Sequence, residues 1–147
     1  MKQIAELIEG RPLFHAESNE NVREVARQMS ERNIGAIAVL DSGRLVGVFS
    51  ERDIMTRVVV PGLDADATLV SDVMTREIVV ADPSEDVNDA LQKMHSLGCR
   101  HLPVVEDGKN LVGMISLRDL LQVDGEASRQ RASFLSELVT YSPDYET

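Results

Sequence analysis

Apolar side chains recur at the spacing of an amphipathic helix in two stretches of the chain, about 65 residues apart. In each stretch they fall at positions i, i+3, i+4 and i+7, on one face of an α-helix. The two sets are Val22, Val25, Ala26 and Met29, and Val87, Ala90, Leu91 and Met94. The pattern predicts two helices with one buried face each. We expect Ser84 to cap the start of the second helix, and Gly35 and Gly98 to cap the two ends.

Short apolar runs of four or five residues flank each predicted helix, and such runs are typical of strands. They are Leu13–Ala16, Ala36–Leu40 and Leu45–Phe49 in the first half, and Ile78–Ala81, His101–Val105 and Leu111–Ile115 in the second. The sequences Asp41-Ser42-Gly43 and Glu106-Asp107-Gly108 separate the last two runs of each half and predict hairpin turns. A second helix follows each hairpin, so the predicted unit is β-α-β-β-α, present twice.

The two halves also share residues. A shift of 65 residues places Leu13–Arg44 on Ile78–Lys109, and the extra residue Asn110 then changes the shift to 66. Under this alignment Leu45-Val46-Gly47 matches Leu111-Val112-Gly113, and Ser50, Arg52 and Asp53 match Ser116, Arg118 and Asp119. The single insertion falls in a turn, where insertions are tolerated best. The chain therefore contains an internal sequence repeat, present twice.

A repeat of about 60 residues is marginal as an independent fold. We therefore expect an α/β (α+β) fold in which the two repeats pack sheet to sheet about a pseudo-twofold axis. The predicted divisions are residues 1–62 for the first repeat with a short N-terminal helix, 63–71 for a linker, 72–124 for the second repeat and 125–147 for a helical tail. The apolar side of the tail is Phe134, Leu135, Leu138 and Val139.

Composition excludes several classes of function. The chain has 147 residues, with 15 Lys and Arg against 25 Asp and Glu, a formal charge of −10. Nucleic-acid and anionic membrane partners are disfavoured because both need a basic surface. No apolar run reaches the roughly 18–20 residues of a spanning helix, and the N-terminus lacks an apolar secretory core. We expect a soluble cytoplasmic protein without an internal disulfide, since Cys99 is the single cysteine.

The repeated Ser-x-x-Asp is the clearest candidate for chemistry. It falls where an apolar strand becomes a helix, and a helix start offers N–H groups to an anion. The two oxygens of an aspartate also match the paired hydroxyls of a ribose. The alternative is a capping box, in which Ser50 and Asp53, or Ser116 and Asp119, bond to each other's backbone. Capping and ligand binding are compatible, so both interpretations stay open.

The segments Gly47–Asp53 and Gly113–Asp119 resemble the strand-to-helix motif that closes a cystathionine-β-synthase (CBS) domain. Arg100–Val105 resembles the middle strand of that family, and Asp72–Thr75 resembles the segment that opens many second repeats. The resemblance covers about residues 7–123. It implies a tandem CBS pair, or Bateman module, that senses AMP, ADP, ATP, NAD or S-adenosylmethionine in clefts between the repeats. It further implies a homodimer that regulates another protein, with no catalysis and no required cofactor.

The resemblance also implies which residues contact the ligand. Arg100 and His101 match positions that supply phosphate contacts in related modules, whereas the first repeat has Gly35 and Ala36 there. We therefore expect unequal sites, the stronger one in the second repeat. The expected contacts are Ser116, Asp119, Arg100, His101, Pro103, Met114, Arg118 and Val80 in the second repeat, and Ser50, Asp53, Arg52, Val48, Ala36 and His15 in the first.

Two other functions are consistent with the residues. One is an interaction or dimerisation scaffold whose clefts hold no ligand. The other is an enzyme that uses Cys99 and His101, which lie with His95 in a short His-x3-Cys-x-His cluster. That cluster lacks a fourth metal ligand, and no third group orients Cys99 as a nucleophile. A non-catalytic nucleotide sensor is the prediction that the repeat and the motifs favour.

Overall fold

The computed structural model describes residues 2–123, which form two compact units. The first-repeat unit is Pro12–Ile78 with Lys109–Leu111, and the second-repeat unit joins residues 2–11 to Val79–Gly108 and residues 112–123. Each unit therefore takes a short helix from the segment that precedes the other repeat in the sequence. These helices are α1 (Ile4–Ile8) in the second-repeat unit and α4 (Val70–Val73) in the first-repeat unit.

The first-repeat unit is built on a three-stranded sheet. In chain order its elements are β1 (His15–Glu17), α2 (Val22–Arg32), β2 (Ala36–Asp41), β3 (Arg44–Ser50), α3 (Glu51–Asp53), a π-helical segment (Ile54–Val59) and α4. Strand β1 is parallel to β2, and β2 is antiparallel to β3. The predicted apolar face of α2 lies in the core, where Val22, Val25 and Met29 are buried.

The second-repeat unit has the same order with fewer strands. Its elements are α1, α5 (Val87–Leu97), β4 (His101–Glu106), β5 (Asn110–Ser116, which belongs to this unit from Val112 onward) and α6 (Leu117–Leu121). The strand predicted over Ile78–Ala81 is reduced to one bridge, Ala81 to Val104, so the prediction of a third strand is wrong. Two prolines limit the pairing, because Pro103 has no N–H to donate to the residues before Ala81, and Pro83 lacks the N–H that Ser18 donates at the matching position of the first repeat.

The helix caps depart from prediction in two places. Helix α5 is capped by Asp86, which accepts a hydrogen bond from the Asp89 N–H, and not by Ser84. Ser84 instead bonds to Asp82 within the preceding turn. Helix α2 ends at Asn33 with a left-handed φ of 55°, so Gly35 is not its cap. Gly98 caps α5 as predicted, with a φ of 67°.

The two short helices α1 and α4 each pack against a glycine of a repeat. A Cβ at Gly113 would lie 2.9 Å from Ile8 Cγ2, and a Cβ at Gly47 would lie 2.8 Å from the Thr75 carbonyl oxygen. Both distances are too short for a side chain, so glycine is needed for close approach. This explains why Gly47 and Gly113 are matched in the repeat.

Two further predictions concern the tail and membrane-spanning helices. The tail prediction, residues 125–147 with its apolar side, lies outside the described residues. Within residues 2–123, no helix is both long enough and apolar enough to cross a membrane.

Candidate functional site

Both Ser-x-x-Asp segments form reciprocal capping boxes at the junction of a strand and a helix. In the first repeat, Ser50 Oγ accepts from the Asp53 N–H at 3.1 Å, and Asp53 Oδ2 accepts from the Ser50 N–H at 3.0 Å. In the second repeat, the corresponding distances for Ser116 and Asp119 are 3.1 and 2.7 Å. The capping interpretation is therefore confirmed at both positions. A ligand at either position has to use the acceptor capacity that the cap leaves on the carboxylate.

The backbone donors at these helix starts are mostly engaged. The Glu51 N–H donates to the Gly35 carbonyl at 2.9 Å, and the Leu117 N–H donates to the Arg100 carbonyl at 2.8 Å. The third N–H of each helix is bound by its capping serine. The expected anion site of free N–H groups is consequently reduced at both helices.

Asp53 lies in a dense network within the first-repeat unit. The Thr75 hydroxyl donates to its Oδ1 and Oδ2 at 3.1 and 3.3 Å, and Arg57 Nε lies 3.6 Å from Oδ1. The Asp53 side chain is only 8% exposed. We call Asp53, Thr75 and Arg57 the Asp53 network. Both carboxylate oxygens are occupied, which leaves little room for the hydroxyls of a ribose.

Asp119 occupies the equivalent position but is more open. Its Oδ2 accepts from the Ser116 N–H and from Arg11 Nη2, the latter at 3.2 Å. Among the described residues no hydrogen-bond partner of Oδ1 is observed. The Asp119 side chain is 22% exposed, nearly three times the fraction of Asp53. The two repeats thus present the same carboxylate in two different states of access.

Arg100 and His101 lie at the start of β4, as the repeat predicts, in the unit that contains Asp119. Burial lowers the pKa of His101, the Asp119 carboxylate acts against this, and the Arg100 guanidinium adds to it. The net shift is downward, so the imidazole is neutral at pH 7. His101 therefore offers hydrogen bonds from a neutral imidazole, and Arg100 is the cation of the pair.

The remaining predicted contacts differ in exposure. Val48 and Met114 are half-buried, whereas Ala36 and Pro103 are buried within strands. His15, Arg52, Arg118 and Val80 are exposed. His15 Nε2 lies 2.9 Å from a carboxylate oxygen of Glu17, and the Pro103 carbonyl accepts from the Ala81 N–H. Val48 on β3 and Met114 on β5 keep partly accessible side chains on the strands that lead to Asp53 and Asp119.

The alternative chemistry at Cys99 gains no support from its surroundings. Burial raises the pKa of the Cys99 thiol, which disfavours the reactive thiolate. In residues 2–123, no group of three His, Cys, Asp or Glu side chains is arranged to hold a metal ion. Cys99 packs at the edge of the second-repeat core.

Sequence reasoning missed Arg11 and Thr75, the two side chains that contact the aspartates from the neighbouring segments. Thr75 lies in the Asp72–Thr75 motif, so the motif drew attention to the segment without revealing the contact. Arg11 lies outside the aligned repeat and in no motif. Arg11 follows α1 and Thr75 follows α4 in the sequence. The repeat alignment does not show which repeat each of these short helices packs against, so it could not predict the two contacts.

Comparison with known proteins gives a consistent family. The CBS domain model matches residues 4–60 and 70–126. The CBS domain-containing protein YhcV of Bacillus subtilis is 41% identical over 102 residues, covering 69% of this chain and 71% of YhcV. An uncharacterised protein of Methanopyrus kandleri is 30% identical over 115 residues, which is 78% of this chain. The chain spans only 59% of that relative's length.

Solved structures agree. A CBS domain protein of Pyrobaculum aerophilum, solved in complex with AMP, superposes with a TM-score of 0.77 at 30% identity. The match covers 95% of this chain and 99% of that protein.

Proposed function

The chain belongs to the CBS domain family as a tandem pair, and on that premise we propose that it binds an adenosine-containing nucleotide through its second repeat. Pairs of this family generally act as regulatory modules and not as catalysts. The nucleotide is then a regulatory ligand, and no further cofactor is required. The output of the module is a contact with a regulated protein.

The observation that carries the proposal is the difference between the two aspartates. Asp119 has one carboxylate oxygen without an observed partner in the described structure and a 22% exposed side chain. Asp53 has both oxygens bonded and is 8% exposed. A ribose diol needs accessible acceptor oxygens, because each hydroxyl donates one hydrogen bond. We therefore assign nucleotide binding to the second repeat and a structural role to Asp53.

The surroundings of Asp119 support the same assignment. Arg100, in the same unit, supplies a cation for phosphate, and His101 supplies a neutral imidazole. Met114 on β5 presents a half-buried side chain that suits the face of an adenine ring. The first repeat has glycine and alanine in place of Arg100 and His101. The AMP complex of the Pyrobaculum aerophilum protein supports AMP as the ligand to test first.

Titration calorimetry with AMP, ADP, ATP, NAD and S-adenosylmethionine tests the function. We expect one ligand of this group to bind with a stoichiometry of one per chain. Two equivalent sites per chain would contradict the assignment to the second repeat. Absence of heat with all five ligands, repeated at a second temperature, would favour the scaffold function instead.

We also propose that the protein is a homodimer with cyclic symmetry, as CBS pairs commonly are. Apolar side chains are exposed at equivalent places on the second helix of each repeat, with Met55 at 49% and Leu121 at 54%. Val59 and Val60, at 66% and 75%, extend the exposed surface in the first repeat. Light scattering at tens of micromolar is expected to give twice the chain mass of 16.2 kDa. A monomer mass at that concentration would contradict the proposal.

A further inference from the structure

The guanidinium of Arg11 joins three parts of the second-repeat unit. Its Nη1 donates to the Leu7 carbonyl of α1 at 3.2 Å. Its Nη2 donates to the Met114 carbonyl at 3.1 Å and to Asp119 Oδ2 at 3.2 Å. The side chain nevertheless remains 42% exposed. Arg11 therefore links α1 to strand β5 and to the helix that begins after Ser116, through contacts that solvent can reach.

A different arginine makes the same connection in the first-repeat unit. Arg57 Nη1 donates to the Met74 carbonyl at the end of α4, and its Nε faces Asp53. The two arginines are not equivalent in the repeat, since position 57 aligns with Val123 and Arg11 precedes the aligned region. The aspartates differ as well, because Thr75 adds a hydroxyl to Asp53. The Asp53 carboxylate is buried with both oxygens bonded, whereas the Asp119 carboxylate is 22% exposed.

The occupancy of Asp119 sets a condition on ribose binding. Its Oδ2 already accepts two hydrogen bonds, from the Ser116 N–H and from Arg11, and a carboxylate oxygen has two lone pairs. One ribose hydroxyl can use Oδ1 while Arg11 stays in place. A diol that binds with one hydroxyl on each carboxylate oxygen needs the place on Oδ2 that Arg11 holds.

We propose that Arg11 is an internal ligand of Asp119 that the ribose diol of a nucleotide displaces. This inference rests on the proposed function of the second repeat. The guanidinium gives up its bonds to Asp119 and to the Met114 carbonyl together, so α1 loses the hydrogen-bonded link to β5 that Arg11 provides and keeps only its packing on Gly113. Arg11 is thus a specificity-determining residue, since it weakens the binding of a diol and leaves a ligand with one hydroxyl unaffected.

The expected effect is small because exposed ion pairs contribute little to stability. Arg11→Ala should raise the preference for AMP over 2′-deoxy-AMP and 3′-deoxy-AMP by about two- to fivefold. The comparison of preferences cancels any attraction between Arg11 and the phosphate, which AMP and its deoxy analogues share. Calorimetry with the three ligands on the wild type and on Arg11→Ala measures it.

A second readout follows α1 directly. Hydrogen exchange of amides in residues 4–8 should become faster when AMP saturates the wild type. In Arg11→Ala, exchange there should be fast already and should not respond to AMP. Arg23→Ala is the matched control, because it removes one exposed arginine paired with Asp66 in the first-repeat unit. It should behave as the wild type in both measurements.

The outcomes distinguish the role of Arg11 from the proposed binding of a nucleotide by the second repeat. AMP binding that depends on Asp119, together with an unchanged preference in Arg11→Ala, would overturn the role of Arg11 and leave the function intact. Unchanged exchange of α1 on AMP binding would do the same. Absence of binding by AMP and the other family ligands would overturn both.

Discussion

Asp119→Ala is expected to weaken AMP binding by about 10- to 150-fold. The side chain offers a charged acceptor to the ribose, and a hydrogen bond to a charged group contributes about 1.5–3 kcal/mol. The residue is accessible, and its fold contacts are an exposed pair with Arg11 and the cap on Ser116. The loss should therefore appear in affinity at nearly unchanged secondary structure. Titration calorimetry, with circular dichroism on the same samples, measures it.

The repeat provides a matched control for this substitution. Asp119→Asn and Asp53→Asn each remove one negative charge from equivalent positions of the two repeats. Asp119→Asn should weaken AMP binding, whereas Asp53→Asn should change it by less than about threefold, because we assign the ligand contact to Asp119 and a structural role to Asp53. Equal affinity of the wild type and Asp119→Ala would refute the site, and equal losses in both Asn variants would indicate a general effect of charge.

The hydrophobic pattern predicted most of the fold, because the repeat shows the pattern of each helix and strand twice in the sequence. The hairpins and the helices α2 and α5 are confirmed within a few residues of their predicted bounds. Errors arose where single residues outweighed the pattern. Pro103 and Pro83 lack the N–H groups that would extend a predicted strand beyond the bridge at Ala81, and Asn33, with its left-handed φ, ended α2 before Gly35.

The site was harder to predict than the fold because its decisive contacts are long-range. The repeat pointed to Asp53 and Asp119 as equivalent, and their capping boxes are indeed the same. What separates them is Thr75, which is 22 positions from Asp53, and Arg11, which is 108 positions from Asp119. Local spacing carries no information about such pairs. The downward shift of the His101 pKa likewise depends on burial, which only the fold creates.

Asp53→Ala is expected to lower the free energy of unfolding by about 2–4 kcal/mol, the largest loss of stability that we predict. The substitution removes the acceptor of the Ser50 N–H, a cap worth about 1 kcal/mol. It also leaves the Thr75 hydroxyl without the buried carboxylate that accepts its hydrogen bond, and bonds to charged acceptors contribute about 1.5–3 kcal/mol. Urea unfolding followed by circular dichroism measures the change.

Asp119→Ala is the matched control for the stability loss expected of Asp53→Ala. That variant loses the same cap, but its other partner is Arg11, in a pair whose side chains are 42% and 22% exposed. Water replaces such a pair readily, so the loss of stability should be about 1 kcal/mol. The two equivalent aspartates should thus have different roles: substitution of Asp53 should mainly lower stability, and substitution of Asp119 should mainly lower affinity. Different roles for the two aspartates require the Asp53 network to hold α4 against its repeat more firmly than Arg11 holds α1. Equal losses in the free energy of unfolding of the two variants would therefore contradict this prediction.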